Sequence, residues 1–198
     1  YQPAEKRKEK MIEKSLILIK HDGVSRGLIG EIISRFEKIG LKIIGMKMLH
    51  ADEKLASNHY LVDEEWAKNV FEKTKNAYEK NKKKFPFKNH MEYGKMIQSW
   101  NVGFLREGPV VAIVIEGLHA VEIIRKLVGN TEPRQALPGT IRGDYTVESY
   151  AVADIKKRPV RNLVHASGSV KEAEREISLW FKENELCEYK KELDKHYL

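Results

Sequence analysis

Short apolar runs alternate with stripes of helical period along this 198-residue chain, and that alternation limits the folds it can adopt. Three segments are typical of strands: residues 15–20 and 110–116 are short apolar runs, and residues 41–49 alternate well enough for a strand. Three stripes with helical spacing cover residues 28–39, 118–128 and 170–182. With a short strand before the last helix, this order predicts an α+β sandwich in which helices cover an antiparallel sheet.

The segments between these elements are less regular. Residues 52–62 have helical character with Asp52 as the N-cap, and residues 66–100 are predicted to be helical pieces around an exposed turn. Residues 130–145 are rich in proline and glycine and have no clear period, which predicts a long ordered loop. Residues 147–161 are predicted to form an exposed excursion from a single domain that spans residues 1–198.

The positive charge of the chain is concentrated in one segment. The sequence has 36 lysines and arginines against 29 acidic residues, a net charge of +7. Residues 68–90 alone hold eight lysines and two acids, an excess of six, so the basic character does not describe the whole protein. A solvated helical hairpin explains such a charge run. The alternative is a module that binds nucleic acid or an acidic partner, which we do not favour.

Cysteine content and hydropathy indicate the compartment. Cys187 is the only cysteine in the sequence, so an intramolecular disulfide cannot form and a reducing, cytoplasmic location is expected. The longest apolar run, Val110 to Ile115, is far too short to cross a bilayer, and no membrane partner is expected.

A histidine lies just before the start of the last predicted helix. Ser169 and Glu172 have the spacing of a capping box, so His165 is expected near a helix N-terminus, where anions are favoured. Because histidine can also carry a covalent intermediate, this placement suggests phosphoryl transfer. The chain lacks the glycine-rich phosphate loops of common nucleotide-binding folds, so side chains would have to hold a nucleotide. The candidates are Lys20, Arg125, Thr131, Arg142 and Asn162.

Four blocks of the sequence resemble nucleoside diphosphate kinases and run in the order of that family. They are LIKHDGVSRGLIGEII at 18–33, GPVVAIVIEG at 108–117, PGTIRGDY at 138–145 and NLVHASGSVKEAERE at 162–176. The resemblance covers most of residues 13–183. It implies a ferredoxin-like α/β sandwich and a ping-pong transfer of the γ-phosphoryl of ATP to a nucleoside diphosphate.

The resemblance also implies roles for individual residues. His165 would carry the phosphoryl group on Nδ1, Glu176 would orient its imidazole, and Ser167 matches the serine beside it. Lys20 would contact the transferring phosphate and the sugar hydroxyl region, and Tyr60 would lie close to the γ-phosphate. Arg125, Thr131 and Arg142 would hold the phosphates and Asn162 the ribose. Mg²⁺ would bridge phosphate oxygens rather than bind protein ligands.

Two further expectations follow from the resemblance. The base would stack on an aromatic platform, for which Tyr93 and Met96 are the candidates. The family forms homo-oligomers, hexamers or tetramers built from dimers, with contacts near residues 130–145. ATP and other nucleoside di- and triphosphates would be the small-molecule partners.

The chain departs from the family pattern in several places. His21 stands where proline is usual, and Gly168 replaces an aspartate, which adds backbone freedom before the last helix. Two insertions are predicted, at about 66–107 and 146–160. The ends are predicted to be a flexible arm, residues 1–13, and a charged tail, residues 184–198.

Overall fold

The computed structural model describes residues 11–80, 82 and 84–191. Its sheet has four strands, which are β1 (Ile12–Ile19), β2 (Lys42–Leu49), β3 (Val110–Leu118) and β4 (Val164–Ala166). They lie in the order β2-β3-β1-β4, and every neighbouring pair is antiparallel. The predicted α+β sandwich with an antiparallel sheet is therefore confirmed.

Nine α-helices surround this sheet within the described residues, and their bounds are as follows. They are α1 (His21–Ser25), α2 (Ile29–Lys38), α3 (Glu53–His59), α4 (Glu64–Lys80), α5 (His90–Arg106), α6 (Ala120–Val128), α7 (Ile141–Tyr145), α8 (Tyr150–Ile155) and α9 (Val170–Trp180). Short 3-10 turns occupy Pro133–Gln135 and Glu183–Glu185.

The two faces of the sheet are buried by different helices. Side chains alternate along a strand, so Leu16 and Leu18 of β1 pack on one face with Ala173 and Trp180 of α9. The intervening Ile17 and Ile19 pack on the other face, against α2 and α6. Residues 16–19 of β1 and 110–115 of β3 are covered on both sides, which explains why these stretches are entirely apolar.

The helix starts that the sequence predicts are formed by capping side chains. The Asp52 carboxylate accepts a hydrogen bond from the Leu55 amide at 2.7 Å, and the Ser169 hydroxyl accepts one from the Glu172 amide at 3.1 Å. The capping box at α9 differs in one respect, because Glu172 reaches back to the amide of Gly168 rather than to that of Ser169.

The lysine-rich segment forms a helical hairpin made of α4, α5 and their connection. Its core is aromatic: Phe85 contacts the rings of Phe71 and Tyr93, with centroid separations of 5.1 and 5.2 Å. Gly94 allows α5 to approach α4 closely, since a Cβ there would lie 3.0 Å from that of Ala67. The prediction of helical pieces around a turn describes this hairpin well.

The two segments predicted to lack regular structure are in fact partly helical. Residues 130–145 include a 3-10 turn and α7, and residues 147–161 include α8. These helices are short, so sequence period gives little signal for them, and side chains hold them in place instead. The buried carboxylate of Glu132 accepts hydrogen bonds from the Tyr150 amide and from the side chain of Gln135.

The chain ends differ in how far they can be described. Residues 1–10 of the predicted arm and residues 192–198 of the predicted tail lie outside the described residues. The strand β1 begins at Ile12, within the segment predicted to be an arm. The described part of the predicted tail, residues 184–191, lies along β2, where the Cys187 amide donates to the Ile44 carbonyl at 2.7 Å. No helix among the described residues is long and apolar enough to cross a membrane.

Candidate active site

Pairing between β1 and β4 brings two of the predicted site residues to one end of the sheet. His165 lies opposite Leu18 in the register, and Lys20 follows directly after β1. The Lys20 amide continues the contact by donating to the Leu163 carbonyl at 2.8 Å. Two chain segments that are far apart in sequence therefore form one site.

The predicted nucleophile is held by a carboxylate and a hydroxyl. Nε2 of His165 lies 3.0 Å from Oε2 of Glu176, and the hydroxyl of Ser167 donates to the same oxygen at 2.7 Å. Ser167 also accepts a hydrogen bond from the Leu16 amide at 3.1 Å, which fixes this hydroxyl against β1. Glu176 is almost fully buried, whereas the His165 side chain is 19% exposed and can meet a substrate.

Burial sets the protonation state of the histidine. Burial, together with the nearby cations Lys20 and Arg142, lowers the pKa of His165 to about 3, against a raising effect from Glu172. Burial also raises the pKa of Glu176, although contacts with His59 and Ser167 oppose that shift. At neutral pH the imidazole is uncharged. Because Nε2 faces the carboxylate, we assign the proton to Nε2, which leaves the lone pair on Nδ1.

The backbone before the histidine is strained. The Val164 amide donates to the Asn162 carbonyl at 2.7 Å, which closes a three-residue turn around Leu163, whose φ is 68°. A positive φ is costly for a branched side chain, and such turns are rare. The carboxylate of Asp22 holds the turn by accepting from the Leu163 amide at 3.0 Å. Strain of this kind persists where the surroundings determine the conformation.

Lys20, Asn162 and Thr131 form a continuous polar chain. The Lys20 ammonium donates to Oδ1 of Asn162, and the Asn162 amide donates to the Thr131 carbonyl at 2.8 Å. Burial lowers the pKa of Lys20 to about 8, against a raising effect from Asp22. The structure thus connects three of the predicted nucleotide-binding residues to one another.

Arg142 is buried, and its guanidinium donates to three backbone carbonyls. The acceptors are Asn162 at 3.2 Å, Gly129 at 2.9 Å and Val164 at 2.6 Å. Burial lowers the pKa of Arg142 to about 10. By contrast, Arg125 and Thr131 are exposed, and Arg125 lies near Gly168 at the start of α9.

Two residues that the sequence analysis assigned no catalytic role lie against the histidine. The His59 ring meets the His165 ring edge-on with centroids 4.5 Å apart, and Trp180 donates its indole N–H to Nδ1 of His59 at 3.3 Å. Burial holds the pKa of His59 well below its usual range. Trp180 follows Glu176 by four residues on α9, and that spacing is a signal that could have identified it.

Tyr60 lies next to this cluster, with its ring 4.7 Å from that of His59. Burial raises the pKa of its hydroxyl, so this group is a neutral donor. The Tyr60 carbonyl accepts a hydrogen bond from Gln98 of α5 at 2.5 Å. The structure therefore places Tyr60 beside His59, and its place close to the γ-phosphate stays a prediction.

The aromatic residue predicted to form the base platform lies elsewhere. Tyr93 is buried in the core of the helical hairpin, where its hydroxyl donates to Thr74 at 3.2 Å and its ring packs against Phe87. It has no free ring face to offer a base, and we do not retain that role. The aromatic residue of α5 beside the site is Phe104, whose ring centroid lies 5.4 Å from the Lys20 ammonium. Met96 is half-buried on the same helix, and its role stays a prediction.

The donor set of the site does not match a protein cage for Mg²⁺. His59, His165 and Glu176 offer ligand atoms within 4.8 Å of one another, but two of these are nitrogens and Mg²⁺ prefers oxygen. Both oxygens of Asp22 already accept hydrogen bonds from the backbone amides of Gly23 and Leu163. This cluster of described residues suits Mg²⁺ poorly, and binding of that ion through substrate oxygens stays a prediction.

Sequence comparison connects this geometry to a family of known chemistry. A profile of the nucleoside diphosphate kinase family matches residues 13–82 and 72–186. The chain belongs to the nucleoside diphosphate kinase family. A nucleoside diphosphate kinase of Pyrobaculum aerophilum is 46% identical over 181 residues, which are 89% of this chain and 99% of that protein.

Solved structures agree with this family assignment. The crystal structure of the NDP kinase from Pyrobaculum aerophilum has a TM-score of 0.86 at 45% identity, covering 89% of this chain and all of that one. A transition-state mimic of the enzyme from Borrelia burgdorferi, with bound vanadate and ADP, has a TM-score of 0.79 at 37% identity and covers 94% of this chain and 97% of that one. Members of the nucleoside diphosphate kinase family are nucleotide-binding phosphotransferases, and this chain is one of them.

Proposed function

We propose that His165 carries the phosphoryl group in this nucleoside diphosphate kinase reaction. The hydrogen bond between its Nε2 and Glu176 carries the proposal, because it leaves the lone pair on Nδ1 as the nucleophile. In the first half-reaction Nδ1 bonds to the γ-phosphorus of ATP, and the bond from that phosphorus to the β,γ-bridging oxygen breaks, which releases ADP. In the second, a terminal oxygen of a nucleoside diphosphate takes the phosphoryl group from Nδ1.

The charge balance of the first step explains the buried carboxylate. When Nδ1 bonds to phosphorus while Nε2 keeps its proton, the imidazole becomes positively charged. Glu176 then lies 3.0 Å from that charge, and the Ser167 hydroxyl keeps the carboxylate in place. Such a preorganised charge stabilises the phosphorylated ring at no cost of reorganisation.

The remaining site residues hold the nucleotide in this proposal. Lys20, Arg125 and Arg142 supply positive charge to the phosphates, Thr131 and Tyr60 supply hydroxyl donors, and Asn162 binds the ribose. Their position around His165 and the ADP and vanadate in the Borrelia burgdorferi relative support this arrangement. Mg²⁺, bound through phosphate oxygens, would neutralise charge on the transferring group.

We further propose that the protein is a cytoplasmic homo-oligomer. The single cysteine supports a reducing compartment. The strand β2 lies at an edge of the sheet, and its Met46 and Met48 are 56% and 55% exposed, which suits a contact between copies. Leu137, in the segment expected to contribute to assembly, is 73% exposed.

Intact-mass spectrometry after mixing with ATP and Mg²⁺ tests the function and the nucleophile together. We expect one acid-labile phosphoryl group on the wild-type protein, which GDP removes, and none on a His165→Ala variant. An exposed histidine such as His50 provides the matched control, His50→Ala, which should be phosphorylated normally. A phosphoryl group that persists in His165→Ala would assign the nucleophile elsewhere.

A further inference from the structure

The helical hairpin carries a groove that is separate from the candidate active site. It has a volume of about 430 Å³ and is formed by α4 and the chain that connects α4 to α5. Its floor consists of Phe71, Phe85 and Phe87, and its rim carries Lys75, Lys84 and Lys88. None of these residues belongs to the site around His165.

The groove lies in the most positively charged part of the molecule. Residues 68–90 supply six of the seven excess positive charges of the chain. Glu79 is also part of the lining, so the three rim lysines exceed the acid by two charges. Lysines at this density favour a polyanion through the release of its counterions.

The floor distinguishes this groove from a plain basic surface. Phe85 and Phe87 are only half-buried, with their rings 5.7 Å apart and tilted by 51°. Phe71, Tyr78 and Tyr93 all lie edge-on to Phe85, with ring centroids 5.1, 5.3 and 5.2 Å away, so Phe85 belongs to the hairpin core and supports Phe87. Phe87 has fewer ring neighbours among the described residues and is the half-buried ring that suits stacking with a planar group.

Rings that alternate with lysines match one class of polyanion. We propose that this hairpin groove binds single-stranded nucleic acid, with a base stacked on Phe87 and phosphates paired with Lys75, Lys84 and Lys88. Bases in a duplex are stacked on one another and cannot reach the floor, whereas an acidic peptide would use the lysines and leave the rings unused. Aromatic platforms with basic rims are a general solution for single strands.

Fluorescence anisotropy with a labelled single-stranded DNA of mixed sequence tests the proposal. The DNA has about 12 nucleotides, a length that suits one small site. Mg²⁺ and excess ADP are present throughout so that the nucleotide site is filled. We expect binding that weakens with salt, and at least tenfold weaker binding of the matching duplex.

Two groups of variants separate charge from stacking. The triple variant Lys75→Gln, Lys84→Gln, Lys88→Gln should weaken binding about tenfold or more and reduce the salt slope by about 2, since each phosphate contact contributes about 0.7. The variant Phe87→Leu should weaken binding about tenfold without changing the slope. A matched triple, Lys38→Gln, Lys54→Gln, Lys171→Gln, removes the same charge from exposed positions elsewhere and should bind within about twofold of wild type.

Phosphoryl transfer from ATP is measured on every variant as a check of folding. The rate of phosphoryl transfer should be unchanged, because the groove shares no residue with the candidate active site. For the same reason, binding of single-stranded DNA should persist even if the kinase proposal fails. Equal losses in the two lysine triples would overturn the proposal in favour of diffuse attraction. Equal affinity for duplex, or full competition by polyglutamate with no effect of the phenylalanine change, would also overturn it.

Discussion

Replacement of Glu176 by glutamine isolates the charge that we place opposite the phosphorylated imidazole. The amide has nearly the same volume and can still accept the Ser167 hydroxyl, so the fold should persist. A full charge at the 3.0 Å separation from Nε2 corresponds to about 5 kcal/mol at an effective dielectric of about 20. The amide dipole recovers part of this, and the net loss for a charge-assisted hydrogen bond is about 1.5–3 kcal/mol.

That loss falls on the phosphorylated enzyme, because the free imidazole is neutral. The equilibrium between enzyme with ATP and phosphoenzyme with ADP should therefore shift toward ATP by about 10- to 150-fold. Quenched mixtures of enzyme, ATP and ADP at pH 8, resolved by mass spectrometry, measure this ratio directly. Glu174→Gln is the matched control, since Glu174 lies on the same helix and is exposed.

A ratio within twofold of wild type, together with slower phosphorylation, would refute the electrostatic reasoning. Glu176 would then act only by holding the orientation of the ring. A slower rate with the predicted change in ratio would support it, because an orienting contact alone affects both directions of the reaction equally.

Three more predictions concern titration and stability. Because Lys20 has a pKa of about 8, its ammonium form is lost above that pH, and the KM for ATP should rise about tenfold per pH unit beyond it; a flat KM between pH 7 and 9.5 would contradict this. His59 and His165 both stay neutral in the folded protein but titrate at about 6.5 when unfolded, so each should remove about 2 kcal/mol of stability between pH 7 and 5 in urea titrations; an unchanged midpoint would argue against their burial. His21→Pro should stabilise the protein by about 0.4–1 kcal/mol, since position 21 begins α1 and Lys20 before it is extended, with ψ of 169°. His21→Ala is its control and should be less stable than the proline variant, because it lacks the constraint on the unfolded chain.

Patterns that depend on many residues were predictable from the sequence. Residues 16–19 of β1 and 110–115 of β3 are continuous apolar runs because helices cover both faces of the sheet there. The cap of α9 follows from the identity and spacing of Ser169 and Glu172. Both rest on local chemistry that tertiary contacts reinforce.

Features that depend on a single long-range contact were not predictable. The helix α8 has six residues and is anchored when Glu132 accepts its first amide, a contact across eighteen residues. Tyr93 was predicted to stack with the nucleotide base, but the rings of Phe85 and Phe87 enclose it in the hairpin. The proximity of His59 to His165 requires α3 to pack against α9, which no local pattern reports.

The hydrogen bonds that Arg142 donates to three backbone carbonyls have a consequence for the solubility of the protein. The strand β4 is a sheet edge of only three residues, and an open edge is a template on which another chain can add a strand. The guanidinium takes the Asn162 and Val164 carbonyls that an incoming strand would need. The same side chain proposed to bind phosphate thus protects the edge from aggregation. A lysine at position 142 would keep the positive charge but could not donate hydrogen bonds to these carbonyls at the same time. The edge of the sheet would then be open to self-association.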